Sequence, residues 1–388
     1  MRYAIQEQQV YGGRIEKIKI DQVHDAGLLT KIAKKKYVFE ADVDSATALL
    51  RQALISAPYS IPAWLSLAEL YNDQGKKKQA FQVLEYADQL TSEIKRWRWD
   101  KTLVDYQVGR TDVLSKELSY IISEIPGKPR ADALQLAFTL WEDPDELLDN
   151  VGRSNLEHFL DYTIRKRLPH KGLFFWRVSQ KDGIFLSEKK MLSFIDMLIN
   201  SGELVAASAI WRTHFNIESV LFNGDFQRKF LQHAFGWRQS KNKAFTLRHE
   251  RKDDREFPGI LHYNFKGWDN VNFRHLYQIV PVDGGQHYAI TGEIKSKRLS
   301  TDQRPFIEIY GYKCKTPYAK SEMVEADQDW ARFEVVFGVS EECDAVVVRL
   351  RRRESNQIDN KLKGQMWLRN FEMLQTGDIF TVFDERPE

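Results

Sequence analysis

Aromatic, acidic and basic side chains alternate with apolar ones in three segments of the carboxyl-terminal half that have the pattern of β-strands. Successive side chains of a strand point to opposite faces, so each segment has an apolar face and a polar face. The polar faces carry two tyrosines, two arginines, a glutamate and a lysine, namely Tyr310, Tyr312, Arg349, Arg351, Glu308 and Lys295. We expect them on one sheet, as a face that suits an acidic or hydroxyl-rich polysaccharide. The alternative is a solvated face held by cross-strand ion pairs, such as Glu308 with Arg349.

A loop between two of the predicted strands carries an isolated tryptophan. Trp268 stands in Lys266–Asn270, where glycine and polar residues indicate a loop. An exposed tryptophan in this position would offer a stacking surface for a sugar ring, and the alternative is that it covers the edge of the domain. His275 flanks the loop as a further candidate, whereas we expect Gln278 to be buried and bonded to backbone groups.

The chain lacks the usual motifs of catalytic centres. It has no His-Glu-x-x-His motif, no Cys/His cluster at metal-ligand spacing, no Gly-x-Ser-x-Gly motif and no phosphate-binding loop. A glycosidase needs two facing carboxyl groups, of which one is protonated. Glu293 and Glu308 lie in neighbouring candidate strands, but the nearby lysines and arginines favour the ionised form of both. We therefore predict no catalytic residue, no metal and no cofactor, and a glycan-acting enzyme is the weakest alternative.

The charge balance excludes a broad attraction to nucleic acids or to anionic membranes. The chain has 57 Lys and Arg against 55 Asp and Glu, which gives a formal net charge of +2. Arg351, Arg352 and Arg353 are consecutive, but a strand sends the middle one to the opposite face, so they form no continuous basic patch. We predict no nucleic-acid partner.

The start of the chain and its cysteines leave the compartment open. The opening residues MRYAIQEQQVYGG lack the apolar stretch of a secretion signal, and no apolar run approaches the length of a membrane helix, about 20 residues. Either the protein is cytoplasmic, or a signal or membrane anchor is removed before residue 1. Cys314 and Cys343 fit a reducing or an oxidising compartment, and their pairing stays open.

The amino-terminal half repeats a helix pair with a period of about 34 residues. The clearest copy, Pro58–Ser92, has two amphipathic segments joined at Gly75, and Asp21–Pro58 and Lys95–Pro126 are degenerate copies. Small and apolar residues recur in step in the pairs Ala46/Ala80, Leu50/Leu84 and Ala53/Ala87. The pattern resembles the tetratricopeptide repeat and predicts a helical solenoid, because such a pair cannot bury its apolar faces alone.

Helices are predicted to continue with an irregular period to residue 215. We expect helices over Ala131–Trp141 and Ser154–Lys166, a helix start at Asp143, and a loop-rich connection over Leu168–Leu186. A final helix pair would cap the solenoid, since terminal repeats need a finished outer face, and it spans Lys189–Asn200 and Glu203–Phe215.

A solenoid of this kind binds its partners on the concave side, which the first helix of each pair lines. We predict a groove there for an extended peptide or the tail of a partner protein. Its candidate lining residues are Leu65, Glu69, Asn72, Asp73, Trp99, Leu103 and Tyr106. The alternative for Trp97 and Trp99 is packing between repeats.

From about residue 216 the period of the sequence changes from that of helices to that of strands. Eight segments rich in Val, Ile, Tyr and Phe are separated by Gly, Asp, Asn and Pro, and they span Lys243–His249, Gly259–Phe265, Leu276–Val282, His287–Ile294, Phe306–Tyr312, Ala331–Phe337, Ala345–Arg351 and Gln365–Leu374. This spacing predicts a two-sheet antiparallel sandwich. The predicted fold is an α-helical, tetratricopeptide-like solenoid over residues 1–215, followed by a β-sandwich over residues 216–388.

Residues 221–374 resemble the carbohydrate-binding-module-like jelly rolls, which belong to the galactose-binding-like sandwiches. The resemblance rests on the stretch Leu221–Phe226 with Trp237 soon after it, on Tyr277–Gly292, and on the final strand Gly364–Leu368. It implies a jelly roll that binds a carbohydrate, and it implies that three tryptophans lie in the core, namely Trp237, Trp330 and Trp367.

The same family often holds a structural calcium ion, and the chain departs from that pattern. Gln227 stands at the position of one acidic ligand, and Arg369 and Asn370 stand where aspartate is usual. Calcium requires several anionic oxygen ligands. Asp225 and Glu372 are too few, so we predict no metal ion at this place.

A solenoid followed by such a module resembles bacterial cell-envelope proteins near polysaccharide assembly or export. The resemblance favours the periplasm or the cell envelope over the cytoplasm. The first hypothesis is a non-catalytic protein whose solenoid docks a protein partner and whose sandwich binds a polysaccharide. The second hypothesis is a structural adaptor in which both halves bind proteins.

Overall fold

The computed structural model describes residues 23–92, 94–251, 258–358 and 360–377. Contacts divide the chain into two compact units. The helical unit comprises Met1–Thr163 and Lys171–Ile184, and the sandwich unit comprises Ile164–His170 and Phe185–Glu388. The opening segment of the chain and the predicted start of the first repeat at Asp21 lie outside the described residues. The domain boundary at residue 215 stays a prediction.

Twelve α-helices occur in the described residues. They span Ala26–Glu40 (α1), Val43–Ser56 (α2), Ile61–Asp73 (α3), Lys77–Thr91 (α4), Lys95–Val108 (α5), Thr111–Glu124 (α6), Lys128–Leu140 (α7), Pro144–Val151 (α8), Leu156–Lys166 (α9), Pro169–Lys181 (α10), Glu188–Ser201 (α11) and Leu204–Phe215 (α12). Helices α1, α3, α5 and α7 begin about 34 residues apart, as do α2, α4, α6 and α8, so the predicted period is confirmed. None of the described helices combines the length and the apolar character that crossing a membrane requires.

The small residues of the repeats lie where neighbouring helices approach. Ala46, Ala53, Ala80 and Ala87 are at most 1% exposed. Gly75 makes the turn between α3 and α4 at a φ of 72°, a left-handed conformation that glycine adopts without steric cost. The predicted helix pair and its turn are therefore confirmed.

The stretch Leu168–Leu186 is largely helical, so its prediction as a loop-rich connection is wrong. Helix α10 spans Pro169–Lys181. Its proline lies in the first turn, where the backbone N–H has no intrahelical partner and the fixed φ of proline suits the helix. The helix start predicted at Asp143 is confirmed, because its side chain accepts hydrogen bonds from the backbone N–H groups of Asp145 and Glu146.

The strands of the sandwich unit form two five-stranded antiparallel sheets. The described strands span Arg238–Gln239 (β1), Phe245–Glu250 (β2), Ile260–Lys266 (β3), Phe273–Pro281 (β4), His287–Lys297 (β5), Phe306–Gly311 (β6), Pro317–Lys320 (β7), Gln328–Gly338 (β8), Ala345–Arg352 (β9) and Lys363–Thr376 (β10). Sheet A has the order β1-β4-β9-β6-β7, and sheet B has the order β2-β3-β10-β5-β8. The predicted fold class, helices followed by an antiparallel sandwich, is confirmed. Strands β1 and β7 were not predicted, because they are too short to show a period.

The inner faces of both sheets contribute to one apolar core. Helices α11 and α12 belong to the same unit, where the ring of Trp211 contacts Phe222 and Phe235 with ring centres 5.1 and 6.2 Å apart. Cys314 and Cys343 form a disulfide that links the β6–β7 and β8–β9 connections. The pairing that the sequence left open is therefore present.

Candidate functional site

The outer face of sheet A carries a row of polar and aromatic side chains that crosses four adjacent strands. Strand register places Arg238 on β1 opposite Tyr277 on β4, and Tyr277 opposite Arg349 on β9. Arg349 lies in turn opposite Glu308 on β6. We call this surface the sheet A face.

An open groove of about 630 Å³ lies at this face, and every residue of its lining belongs to the sandwich unit. Strands β4 and β9 contribute both apolar and polar side chains, and helix α11 contributes two polar ones. These eight residues are Arg274, His275, Tyr277, Ile279, Val347, Arg349, Asp196 and Asn200. A partly apolar groove with convergent polar groups is the usual form of a small-ligand site.

Asp196 connects helix α11 to the segment that leads into sheet A. Its Oδ1 accepts hydrogen bonds from the backbone N–H of Ala234 at 2.7 Å and from Nη2 of Arg238 at 2.8 Å. Its Oδ2 lies 2.6 Å from Nδ1 of His233. Charge-assisted hydrogen bonds to a carboxylate are short and directional, so Asp196 fixes the orientation of the Arg238 guanidinium group.

The guanidinium group of Arg238 has a buried N–H donor without a partner among the described residues. Its side chain is 16% exposed, and its Nη1 has no hydrogen-bond partner in the described part of the chain. The guanidinium carbon lies 5.9 Å from the ring centre of Tyr277. A buried donor without a partner costs free energy, and Nη1 is such a donor.

Glu308 pairs with several arginines of the sheet A face. It accepts a hydrogen bond from Nε of Arg349 at 2.6 Å, and its carboxylate lies 3.8 Å from Arg351 and 4.0 Å from Arg353. The guanidinium group of Arg349 also lies 5.2 Å from the ring centre of Tyr310. The cross-strand pair that formed the alternative interpretation is thus present on the same face as the groove.

His275 contributes a half-buried imidazole to the groove. Burial, followed by the positive charge of Arg274, lowers the pKa of His275. The ring is therefore neutral at pH 7, and Nδ2 of Asn242 lies 3.2 Å from its Nε2. The rings of Phe245 and Phe273 contact the imidazole edge to face, at 5.2 and 5.1 Å between centres.

Tyr312 completes the lining near the end of helix α11, and its neighbour Lys313 contacts that helix. Burial raises the pKa of the Tyr312 phenol, so its hydroxyl stays a hydrogen-bond donor at neutral pH. Nζ of Lys313 donates a hydrogen bond of 2.7 Å to the carbonyl oxygen of Asn200, in the last turn of α11, where a cation is favoured by the helix dipole. Lys313 and Asp196 thus attach α11 to the sandwich at two points.

The structure brings most of the predicted glycan-binding residues together on the sheet A face. Six of them lie there, namely His275, Glu308, Tyr310, Tyr312, Arg349 and Arg351. Trp268 lies apart, in the loop after β3, where it is 59% exposed and the Nζ of Lys266 is 4.3 Å from its ring centre. Lys295 lies on β5 of sheet B and donates a hydrogen bond of 2.7 Å to Asp329, so its predicted place on one sheet with Glu308 is wrong. A glycan-binding role for any of the eight stays a prediction.

Two of the three tryptophans expected in the core lie on the outer face of sheet B, which we call the sheet B face. Trp237 is 1% exposed, as expected. Trp367 is half-buried and stacks on His262 with ring centres 4.6 Å apart. Trp330 is also half-buried, and the guanidinium carbon of Arg369 lies 4.1 Å from its ring centre. The core position implied for Trp330 and Trp367 is therefore wrong.

The helical unit contains a separate cavity of about 470 Å³, lined mainly by helices α1 and α3. Three of the predicted groove residues, Glu69, Asn72 and Asp73, contribute to its lining. The hydroxyl of Tyr37 donates a hydrogen bond of 2.5 Å to Asp73, and Nζ of Lys34 lies 3.5 Å from Glu69. The cavity thus has carboxylates beside apolar helix surface.

The other predicted groove residues differ in exposure. Leu65 is 5% exposed and belongs to the core of the helical unit, so its side chain offers little surface to a partner. Trp99 and Leu103 are half-buried on α5, and Tyr106 is 44% exposed. Gln278, as expected, is buried, and it donates hydrogen bonds to the carbonyl oxygens of Phe222 and Phe235.

No group of three or more His, Cys, Asp or Glu within the described ranges is arranged to hold a metal ion. At the place considered for calcium, Asp225 accepts a hydrogen bond from the backbone N–H of Gln227. Asn370 donates one to Glu293 at 3.0 Å. That the protein uses no metal stays a prediction.

The sequence patterns did not identify the groove residues Asp196, Arg238, Arg274 and Tyr277. Tyr277 had a usable signal, because it alternates with the buried Gln278 along one strand. Arg238 lies in a strand of two residues, which shows no period. Asp196 lies on a helix whose pattern indicates only which face is apolar. Its contacts with residues 233–238 depend on tertiary packing.

No protein-family model and no curated protein sequence matches the chain. Some solved structures resemble its parts. A CBM4 structure is 16% identical over 40% of this chain and 99% of its own, with a TM-score of 0.29. The CBM22-1 xylan-binding domain of Paenibacillus barcinonensis Xyn10C is 12% identical over 39% of this chain and 90% of its own, with a TM-score of 0.23. PilF of Pseudomonas aeruginosa is 15% identical over 50% of this chain and 93% of its own, with a TM-score of 0.27. All three TM-scores are below 0.5, so these similarities carry no argument about what the chain binds.

Proposed function

We propose that this protein is a non-catalytic binding protein that holds a polysaccharide in the groove of the sheet A face. One observation carries the proposal, namely an open groove in which two tyrosines meet an exposed arginine. Tyr277 and Tyr312 line it together with Arg274, whose side chain forms no ion pair in the described part of the chain. Aromatic rings supply apolar contact to the CH faces of sugars, and the donors bond to their oxygens.

The helical unit supports a second part of the proposal, in which a protein partner docks on its cavity. Helices repeat there at the predicted period, and Glu69, Asn72 and Asp73 line the cavity beside Tyr37. Docking on such a surface suits an extended segment with basic residues, since carboxylates line the cavity. A role in the bacterial envelope, near polysaccharide assembly or export, is part of the same proposal. The disulfide between Cys314 and Cys343 supports an oxidising compartment.

The test blocks the groove with a large side chain instead of removing a side chain from it. Val347→Trp places a large side chain in the lining of the groove, on the central strand of sheet A. Val336→Trp makes the same chemical change on β8 of sheet B, where Val336 is 41% exposed. Both full-length variants and the wild type are compared by affinity electrophoresis in gels that contain a panel of neutral and acidic polysaccharides.

We expect the wild type and Val336→Trp to be retarded by the same polysaccharide, and Val347→Trp to migrate freely. Circular dichroism verifies that both variants are folded. Retardation of all three proteins would place the binding site elsewhere. If no polysaccharide retards the wild type, the adaptor hypothesis becomes the better account.

A further inference from the structure

We propose that the groove of the sheet A face selects saccharides that carry an oxyanion substituent, foremost a uronate carboxylate, and that Arg238 and Arg274 hold that group. The inference rests on the proposed function, since it names the class of polysaccharide that the same groove binds. A neutral glycan needs hydrogen-bond partners and stacking surfaces. An acidic glycan needs fixed cations as well.

Cations outnumber carboxylates around the sheet A face. Five arginines contribute to this surface, namely Arg238, Arg274, Arg349, Arg351 and Arg353. Among the described residues, the carboxylates in ion-pair contact with them are Asp196 and Glu308. The excess of positive charge also affects the pKa of one of these arginines. Burial lowers the pKa of Arg351, Glu308 opposes that shift, and the charges of Arg349, Arg353 and Arg274 add to it.

Internal contacts already occupy two of these arginines. Arg349 donates to Glu308 at 2.6 Å. Nη1 of Arg351 donates to the carbonyl oxygens of Arg352 at 2.7 Å and Phe273 at 3.2 Å. Their donors are therefore less available to a ligand than those of Arg274.

Arg238 and Arg274 differ in their exposure and in their internal contacts. Asp196 holds Nη2 of Arg238 at 2.8 Å, which fixes the guanidinium group beside the groove, although its Nη1 is buried. Arg274 also lines the groove and is exposed. Its side chain forms no ion pair among the described residues. An exposed guanidinium group such as that of Arg274 can donate directly to an oxyanion, and the fixed Arg238 adds a positive charge beside it at little cost in entropy. Asp196 is thus a positioning residue.

The rest of the groove favours a saccharide over other polyanions. Asn200 and Ser240 place an amide and a hydroxyl in the lining, which suit sugar hydroxyl groups, and Tyr277 and Tyr312 add rings. The whole chain has a formal net charge of only +2, which gives little general attraction to nucleic acids. Binding of a polyanion without sugar hydroxyls is therefore a competing outcome that the test includes.

The test measures how affinity depends on the anionic group alone. Isothermal titration of the full chain uses oligosaccharides of alginate, polygalacturonate and hyaluronan, each beside its carboxyl-reduced form, which keeps the sugar and loses the charge. Dextran sulfate beside dextran distinguishes a sulfate ester from a carboxylate, and a single-stranded oligonucleotide serves as the polyanion control. Arg274→Ala is the test variant. Arg332→Ala, which removes an exposed arginine of β8 in sheet B, is its matched control.

We expect at least one acidic oligosaccharide to bind about tenfold or more tightly than its neutral form, with an affinity that falls as salt is raised. Arg274→Ala should lose about tenfold in affinity for the acidic form, and Arg332→Ala should match the wild type. Asp196→Asn should lower the ratio of the affinity for the acidic form to that for the neutral form, because the Arg238 guanidinium group then loses its fixed orientation. A purely structural defect would weaken both affinities equally and leave the ratio unchanged.

The outcomes separate this inference from the function on which it rests. Equal affinity for an acidic glycan and its carboxyl-reduced form would overturn the selectivity and leave glycan binding intact. Equal affinity for the oligonucleotide would also overturn it, because the groove would then respond to charge and not to a sugar. If no glycan of either kind binds, both proposals fail.

Discussion

The two outer faces of the sandwich use similar side chains in opposite ways. On the sheet B face, Trp367 stacks on His262, Arg369 covers Trp330, and Arg369 bonds to Glu293 with a shortest N–O distance of 2.6 Å. On the sheet A face, two half-buried tyrosines line an open groove together with Arg274, which is exposed and forms no ion pair among the described residues. Both faces combine aromatic rings, arginines and a glutamate.

Composition alone therefore does not identify a binding face. A sheet face whose rings and charges satisfy one another contributes to stability and gains little from a ligand. A face with a helix beside it as a wall, and with an exposed arginine that forms no ion pair among the described residues, has interactions left to offer. Here the wall is helix α11, which Asp196 holds against the sheet edge. The expected effects of substitutions should therefore divide between binding on one face and stability on the other.

The largest expected effect is on binding at the sheet A face. The double variant Tyr277→Ala, Tyr312→Ala should bind the preferred oligosaccharide about 100-fold more weakly, because a buried aromatic contact commonly contributes over about 1 kcal/mol to binding. Titration calorimetry of the full chain measures the change. The double variant Trp330→Ala, Trp367→Ala is the control. A larger loss of affinity in the control than in the tyrosine variant would reverse the assignment of the two faces.

The next effect is on stability at the sheet B face. Trp367→Ala removes a half-buried ring and its stack on His262, which should lower the free energy of unfolding by about 1–3 kcal/mol. Tyr277→Ala, on the more open face, should cost less. Urea unfolding followed by circular dichroism in the strand region compares the two variants. Equal losses would show that the Tyr277 ring is as important for packing as the Trp367 ring.

A smaller effect follows from charge removal at equivalent ion pairs. Glu308→Gln frees Arg349 and increases the positive charge of the sheet A face, so we expect an acidic oligosaccharide to bind about three- to fivefold more tightly. Glu293→Gln makes the same change beside Arg369 and should alter binding by less than about twofold, with a loss of stability under about 1 kcal/mol. Weaker binding by Glu308→Gln would mean that Glu308 itself contacts the ligand.

The smallest effect is a pH dependence of stability at the groove. The pKa of His275 is lowered in the folded protein by burial and by Arg274. The folded protein therefore favours the neutral imidazole. The stability that depends on this neutral form is fully present above the pKa of histidine in the unfolded chain, about 6.5, and is lost as the pH falls through the lower pKa of His275 in the folded protein. The stability difference between the wild type and His275→Gln should therefore shrink between pH 7 and pH 5. A difference that stays constant over this range would contradict the neutral, buried imidazole.

The fold was predictable from local patterns, and the site was predictable only in part. The recurrence of Ala46 at Ala80 identified the helix pairs, and the alternation around Glu308 identified which side chains leave the core. The alternation of polar and apolar residues shows which side chains share a face of one strand, but it does not show which strands are neighbours in a sheet. Lys295 was therefore assigned to the same sheet as Glu308, although it lies on sheet B. For the same reason, nothing local revealed that Asp196 on a helix would meet Arg238, which lies 42 residues further along the chain.

The central claim is that a saccharide contacts the sheet A face through Arg238 and Arg274. The most direct measurement is a titration of the full chain, with labelled arginine, in which the side-chain Nε–Hε signals are followed by NMR and assigned by single Arg→Lys substitutions. The account predicts that an acidic oligosaccharide shifts the signals of Arg238 and Arg274 and leaves that of Arg369 unchanged. A shift of Arg369, with Arg238 and Arg274 unaffected, would contradict it.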